Sequence, residues 1–114
     1  MRTLTLEDGQ EYILRCDLNV IDEIERKYLT VDACRKVAAS GAVGSAAAVK
    51  FLAAAMINEH FAAVGDKKRV TEEFVGRKLG GFLAPVLTPI LEEISECMTP
   101  KNRDGADVTT AIES

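Results

Sequence analysis

Tryptophan is absent from this chain of 114 residues, and aromatic residues make up only 5% of it. With so few rings, Ala, Val, Leu and Ile must fill the core, and an aliphatic core of this kind favours close helix contacts. Histidine occurs once, at His60, and the three cysteines, Cys16, Cys34 and Cys97, include no CxxC pair. An odd, widely spaced set of cysteines argues against a disulfide framework, and the missing His/Cys cluster argues against a zinc site. Basic residues are outnumbered 14 to 18, for a net charge of −4. That balance opposes association with a polyanion unless positive charge gathers on one face, so nucleic acid is not an expected partner. No P-loop, GxGxxG, HExxH or GxSxG pattern occurs, which leaves no motif-based reason to expect an enzyme or a cofactor. After Met1-Arg2 the chain alternates Thr with Leu and then meets Glu7 and Asp8 instead of an apolar h-region, so it is expected to stay in a reducing cytoplasm, away from membranes.

Apolar residues make up 47% of the chain and charged residues 28%, the usage of an ordinary globular protein. A domain of this size buries about two-thirds of the surface of its unfolded chain, enough for a core without staples. One domain is expected over residues 1–98, with a polar, disordered tail over 99–114.

The first sixteen residues carry two runs of period 2 around Asp8-Gly9, the pattern of a β-hairpin over 3–16. A two-residue turn at Asp8-Gly9 would mix Leu4 and Leu6 with Glu11 and Arg15 on one face. A three-residue loop, Glu7-Asp8-Gly9, with Gly9 left-handed as a bulge, pairs Leu4 with Tyr12 instead. Leu4, Leu6, Tyr12, Leu14 and Cys16 then share one face, and this register is preferred.

Such a hairpin needs an apolar support, and helices are predicted over about 18–28, 31–39, 45–64, 71–79 and 89–98. Asp17, Thr30 and Thr71 are their N-caps where the sequence offers one. The first helix places Leu18, Ile21, Ile24 and Tyr28 on one side. The stretch 45–64 holds a single polar residue, Lys50, between Ala46 and Ile57; it is short of the about 20 apolar residues a bilayer needs, and reads as a buried central helix. Its alanines, among them Ala47, Ala54 and Ala55, fall on one broad side. Pro89 could not sit deep in a helix begun before Pro85, because its ring clashes with the carbonyl four residues back. A break near Leu87 is therefore expected, with Thr88 as cap, Pro89 at the first helical position, and Ile90, Leu91, Ile94, Cys97 and Met98 on one stripe. The fold class is α+β, mainly α: an N-terminal hairpin packed on a bundle of four to five helices.

The residues that could carry chemistry have ordinary readings. Asp22-Glu23-Glu25 and Glu92-Glu93-Glu96 are read as solvated helix faces. His60, after Asn58-Glu59, is read as a partly exposed polar residue at a helix end. Cys16 and Cys97 lie on apolar faces as small hydrophobes, and the setting of Cys34 is left open. Lys67-Lys68-Arg69, with no interleaved aromatic, is read as a solvated loop. The apolar load of the long helix, taken with Phe82, Leu83, Val86 and Leu87, exceeds what a short fold readily covers and suggests a patch for a partner.

The segment Gly9-Gln-Glu-Tyr-Ile-Leu-Arg15, followed by Leu18-Asn19 and Ile21-Asp-Glu-Ile-Glu25, resembles the start of the small tail assembly chaperones of tailed bacteriophages and prophages. Thr30 to Ala39, Ser45 to Val64, Thr71-Glu-Glu73 and Pro89 to Met98 continue the order of elements in that family, over roughly residues 3 to 98; the paired prolines and the polar tail depart from it. The resemblance implies a noncatalytic protein that binds the tape measure protein during siphophage-like tail morphogenesis, with the major tail protein and a second copy of itself as further partners. A small structural tail or head-tail component of the virion and an acidic protein-binding adaptor are the rival readings. The surface assigned to the client is Ala47, Ala54, Ala55, Phe82, Leu83 and Leu87. On that assignment Leu52→Asp unfolds the protein, whereas Ala54→Asp spares folding and abolishes binding.

Overall fold

The computed structural model describes residues 2–7, 9–79 and 84–98. Strands β1 (Arg2–Thr5) and β2 (Glu11–Leu14) form an antiparallel hairpin, followed by α1 (Leu18–Tyr28), α2 (Val31–Ser40), α3 (Ser45–Ala63), α4 (Glu72–Lys78) and α5 (Ala84–Met98). The tail 99–114 lies outside the described residues, as do Phe82 and Leu83.

The hairpin has the register that the apolar alternation demands, with Leu4 opposite Tyr12. Gly9 takes φ +83°. Its N–H donates to the Leu6 carbonyl, and the Leu6 N–H donates to the Gln10 carbonyl, both at 3.0 Å, which is the G1-bulge arrangement. Leu4, Leu6 and Leu14 are buried, and Tyr12 and Cys16 pack beside them. The Glu7 N–H reaches the Lys78 carbonyl at 2.7 Å, so the turn is tied to the end of α4.

Each early helix starts on the cap its sequence provides. Asp17 accepts from the N–H groups of Asn19 and Val20 at 3.0 and 3.3 Å, and Thr30 accepts from Ala33 at 3.0 Å. The buried residues of α1 are Val20, Ile21 and Ile24, whereas Leu18 is 82% exposed. The expected stripe is corrected here: at about 100° per residue, Leu18 lies some 120° round the helix from Ile24, while Val20 lies within about 40°. Gly41, at φ +69°, ends α2. Cys34, on that helix, is fully buried.

Helix α3 runs through the centre and meets β2, α1, α2, α4 and α5. Ala48, Val49, Leu52, Ala53, Ala54, Met56 and Ile57 are all buried, so its middle is covered almost all round. Lys50 fits there by laying its stem across Gly76 of α4: a Cβ built at Gly76 would lie 2.7 Å from Lys50 Cδ. The charged end can then reach water while the methylenes pack.

The expected break at Leu87 does not occur. Helix α5 is continuous from Ala84 to Met98 with Pro89 inside it. The carbonyl that Pro89 cannot bond belongs to Pro85, in the first turn, so the helix loses one hydrogen bond near its end and not in its middle. Ile90 and Ile94 are fully buried and hold the helix on the core.

Candidate functional site

The segment between α3 and α4 is fixed by one side chain. Asn58 donates through Nδ2 to the Val70 carbonyl at 2.9 Å and accepts the Val70 N–H on Oδ1 at 2.7 Å, as a neighbouring strand would. Further back, the Asp66 N–H donates to the Phe61 carbonyl at 2.8 Å and Asp66 Oδ1 accepts the Lys68 N–H at 2.9 Å. These bonds hold the loop 65–71 alongside, but apart from, β2.

Between them lies a groove of about 770 Å³, lined by Gln10 to Ile13 on one side and by Lys68 to Thr71 on the other, with His60, Phe61 and Phe74 between. Tyr12 and Phe61 meet edge to face, with ring centroids 6.4 Å apart. Lys68 and Arg69 line the wall opposite β2. The Arg69 guanidinium donates to the carbonyls of Asp66 and Lys68 at 2.9 and 2.6 Å, which stiffens the basic turn. His60 Nδ1 is buried without a hydrogen-bond partner. The groove can therefore offer apolar contact from its rings and positive charge from one wall.

The Asn58-Glu59-His60 run does not form a catalytic unit. Asn58 is engaged with Val70, Glu59 accepts from Asn19 at 3.0 Å, and His60 packs beside Phe61. The hydrogen bond from Asn19 favours the charged form of Glu59, but the adjacent Asp17 and burial prevail and hold its carboxyl above the ordinary value. Burial works the other way against Asp17, and the hydrogen bonds from Glu59, Arg15 and the capped N–H groups hold it below the ordinary value. This pair thus belongs to the start of α1. Among the described residues, no group of three His, Cys, Asp or Glu side chains is placed to hold a metal ion.

The cysteines sit in apolar surroundings. Burial pushes the Cys34 thiol up to about 11. Burial, then the hydrogen bond with Cys97, drive the Cys16 thiol far above its usual range. Cys97 Sγ donates to the Cys16 carbonyl at 3.2 Å and so links α5 to the end of the hairpin.

The acidic cluster on α5 is not simply a solvated face. Arg2 reaches Glu92 and Glu93 at 3.2 Å and Glu96 at 3.1 Å, and Glu93 is buried. Hydrogen bonds donated to Glu96 and Glu93 raise the pKa of the Arg2 guanidinium. The sequence reading of a solvated face missed this contact, because nothing in the sequence joins the glutamates to a residue some 90 positions earlier.

Of the residues assigned to a partner, Ala47 is exposed, Ala55 and Leu87 are half-buried against the core, and Phe82 and Leu83 lie outside the described residues. Ala54 is 5% exposed, which corrects its assignment to a free face. Ala48, Ala53 and Ala54 point to three different sides of α3 and all are buried, because small residues allow close approach within the molecule as readily as between molecules. Of the four described residues, only Ala47 is fully exposed. The groove beside β2 was not legible, because its walls come from segments about sixty residues apart. Comparison with family models, with curated proteins and with solved structures finds no match for this chain.

Proposed function

We propose that this protein is a noncatalytic tail assembly chaperone of a siphophage-like phage or prophage, binding the tape measure protein while the tail is built in the bacterial cytoplasm. The observation that carries this reading is the resemblance over Gly9 to Arg15 and Leu18 to Glu25, with the order of elements that follows. A protein of this kind works by reversible burial of a client's apolar side chains. An apolar groove with one charged wall, beside a hairpin clamped at both ends, supplies such a surface without the client refolding the chaperone.

Co-expression with fragments of a siphophage tape measure protein tests the reading. The fragments are expected to remain in solution and to copurify with this chain. Unchanged solubility without copurification would sink it. Mass spectrometry of purified particles separates the rival: a chaperone is absent from the finished virion, whereas a small structural tail component is retained.

A further inference from the structure

We propose that the outer edge of β2 takes up an extended, acidic segment of a partner polypeptide as a third strand, its side chains seated in the groove beside it. This deepens the protein-binding reading and rests on it only in taking the partner to be a polypeptide.

Backbone geometry comes first. Leu6 and Gln10 form a hydrogen-bonded pair at the bulge, and Leu4 pairs with Tyr12 and Arg2 with Leu14. Antiparallel ladders alternate, so Tyr12 and Leu14 turn their N–H and C=O toward β1, and Glu11 and Ile13 turn theirs away. Arg15 is next in that alternation, and its N–H meets the Met56 carbonyl at 3.2 Å, which closes the edge at that end. At Glu11 and Ile13 the outward backbone groups have no backbone partner among the described residues. Helix α5 lies against β1 and α3 against β2, but the backbone bond from this strand to α3 is made at Arg15, beyond Glu11 and Ile13. One strand edge is therefore open, and it borders the groove.

The groove then decides what fits. At about 770 Å³ it can hold several side chains, and Phe61, Val70 and Phe74 offer them apolar walls. An added strand would satisfy the backbone groups of Glu11 and Ile13 and direct alternate side chains into this space. A helix laid in the groove would fill it but leave those groups without partners.

Charge selects the partner. The chain carries a net charge of −4, yet Lys68 and Arg69 stand together on the wall with Lys67 next to them in the chain, and none of the three makes an ion pair with a carboxylate among the described residues. The acidic groups nearby are Glu11, on the edge itself, Asp66, which is engaged with the Lys68 N–H, and Glu72 and Glu73, between Thr71 and Phe74 in the chain, which pair with Lys27 and Arg77. A segment bearing carboxylates is attracted and a basic one repelled. A second copy is the poorer occupant, because pairing β2 with itself about a two-fold axis would bring the two basic turns onto one edge.

The test uses the full chain labelled with nitrogen-15 and two short blocked peptides, one alternating valine with glutamate and one alternating valine with lysine. The glutamate peptide is expected to slow amide hydrogen exchange at Glu11 and Ile13 by about tenfold or more at saturation, and to weaken as salt is added. The lysine peptide is expected to bind at least about tenfold more weakly. Lys68→Glu combined with Arg69→Glu should reverse that preference; both side chains are exposed, and the preference, a ratio of two affinities for the same variant, is read apart from the fall in melting temperature that loss of the Arg69 carbonyl bonds brings. If Glu11 and Ile13 exchange at the same rate with and without the glutamate peptide, the strand site is wrong. Equal affinity for the two peptides, or no change of preference in the double variant, refutes the charge selection. Slow exchange at both amides in the peptide-free protein, appearing together with dimer mass in light scattering, would assign the edge to a second copy instead. Tape measure co-expression is read separately. Its failure with peptide uptake intact sinks only the chaperone assignment, and peptide failure with client rescue intact sinks only the strand site.

Discussion

Leu29 follows α1 with φ +74° and ψ −47°, a region that L-residues rarely occupy. Its side chain is 85% exposed, so burial contributes little to offset the strain. The Leu29 N–H closes the helix by donating to the Glu25 carbonyl at 2.9 Å, a bond that glycine would keep. Leu29→Gly is therefore expected to stabilise the protein by about 1 kcal/mol, measured as a higher urea midpoint at unchanged slope. Cys34 supplies a prediction in pH. Its folded thiol titrates near 11 against an ordinary 9.0, so the stability linked to it is fully present below about pH 9 and is lost as pH rises toward 11. Wild type should lose stability over that window more steeply than Cys34→Ala, and denaturation midpoints at a series of alkaline pH values would show the difference. Ala54→Asp, which the sequence alone suggests is harmless to folding, should cost about 3 kcal/mol or more, because it would place a carboxylate where no partner is built. Thermal melting decides between these outcomes.

Helix boundaries follow local chemistry where local chemistry is strong. Asp17, Thr30 and Thr71 cap their helices through side-chain bonds, and Gly9 makes the bulge that its place in the alternation requires. Pro89 is the exception. Its local penalty is real, but Ile90 and Ile94 bury fully, and the missing bond falls in the first turn, so the helix continues through it. The loop 65–71 depends on a contact that no local pattern announces, the paired bonds between Asn58 and Val70. Asn58→Ala should destabilise the protein by about 2 kcal/mol and free the basic turn from α3. Faster amide exchange at Val70, with β2 unaffected, would be the expected signature. If Val70 keeps its protection in that variant, something other than Asn58 holds the loop.

Across the whole molecule, the two ends of the described chain are joined by charge. Arg2 gathers Glu92, Glu93 and Glu96, and the Cys97 thiol reaches the Cys16 carbonyl, so α5 braces the hairpin opposite the open groove. Arg2→Ala should speed amide exchange in β1, leave α2 and α3 protected, and lower the melting temperature, because Glu93 would remain buried without its cation. Equal protection of β1 in the variant would show that the apolar contacts hold the strand by themselves. By itself the sequence determined the hairpin register, the capped starts of the helices and the central place of α3, since each depends on periodicity or on a cap a few residues away. Only the tertiary structure decided which alanines of α3 are covered, that the α5 glutamates bind Arg2, and that the edge of β2 faces a basic turn. Those outcomes depend on which distant surfaces meet, and local propensity does not encode that choice.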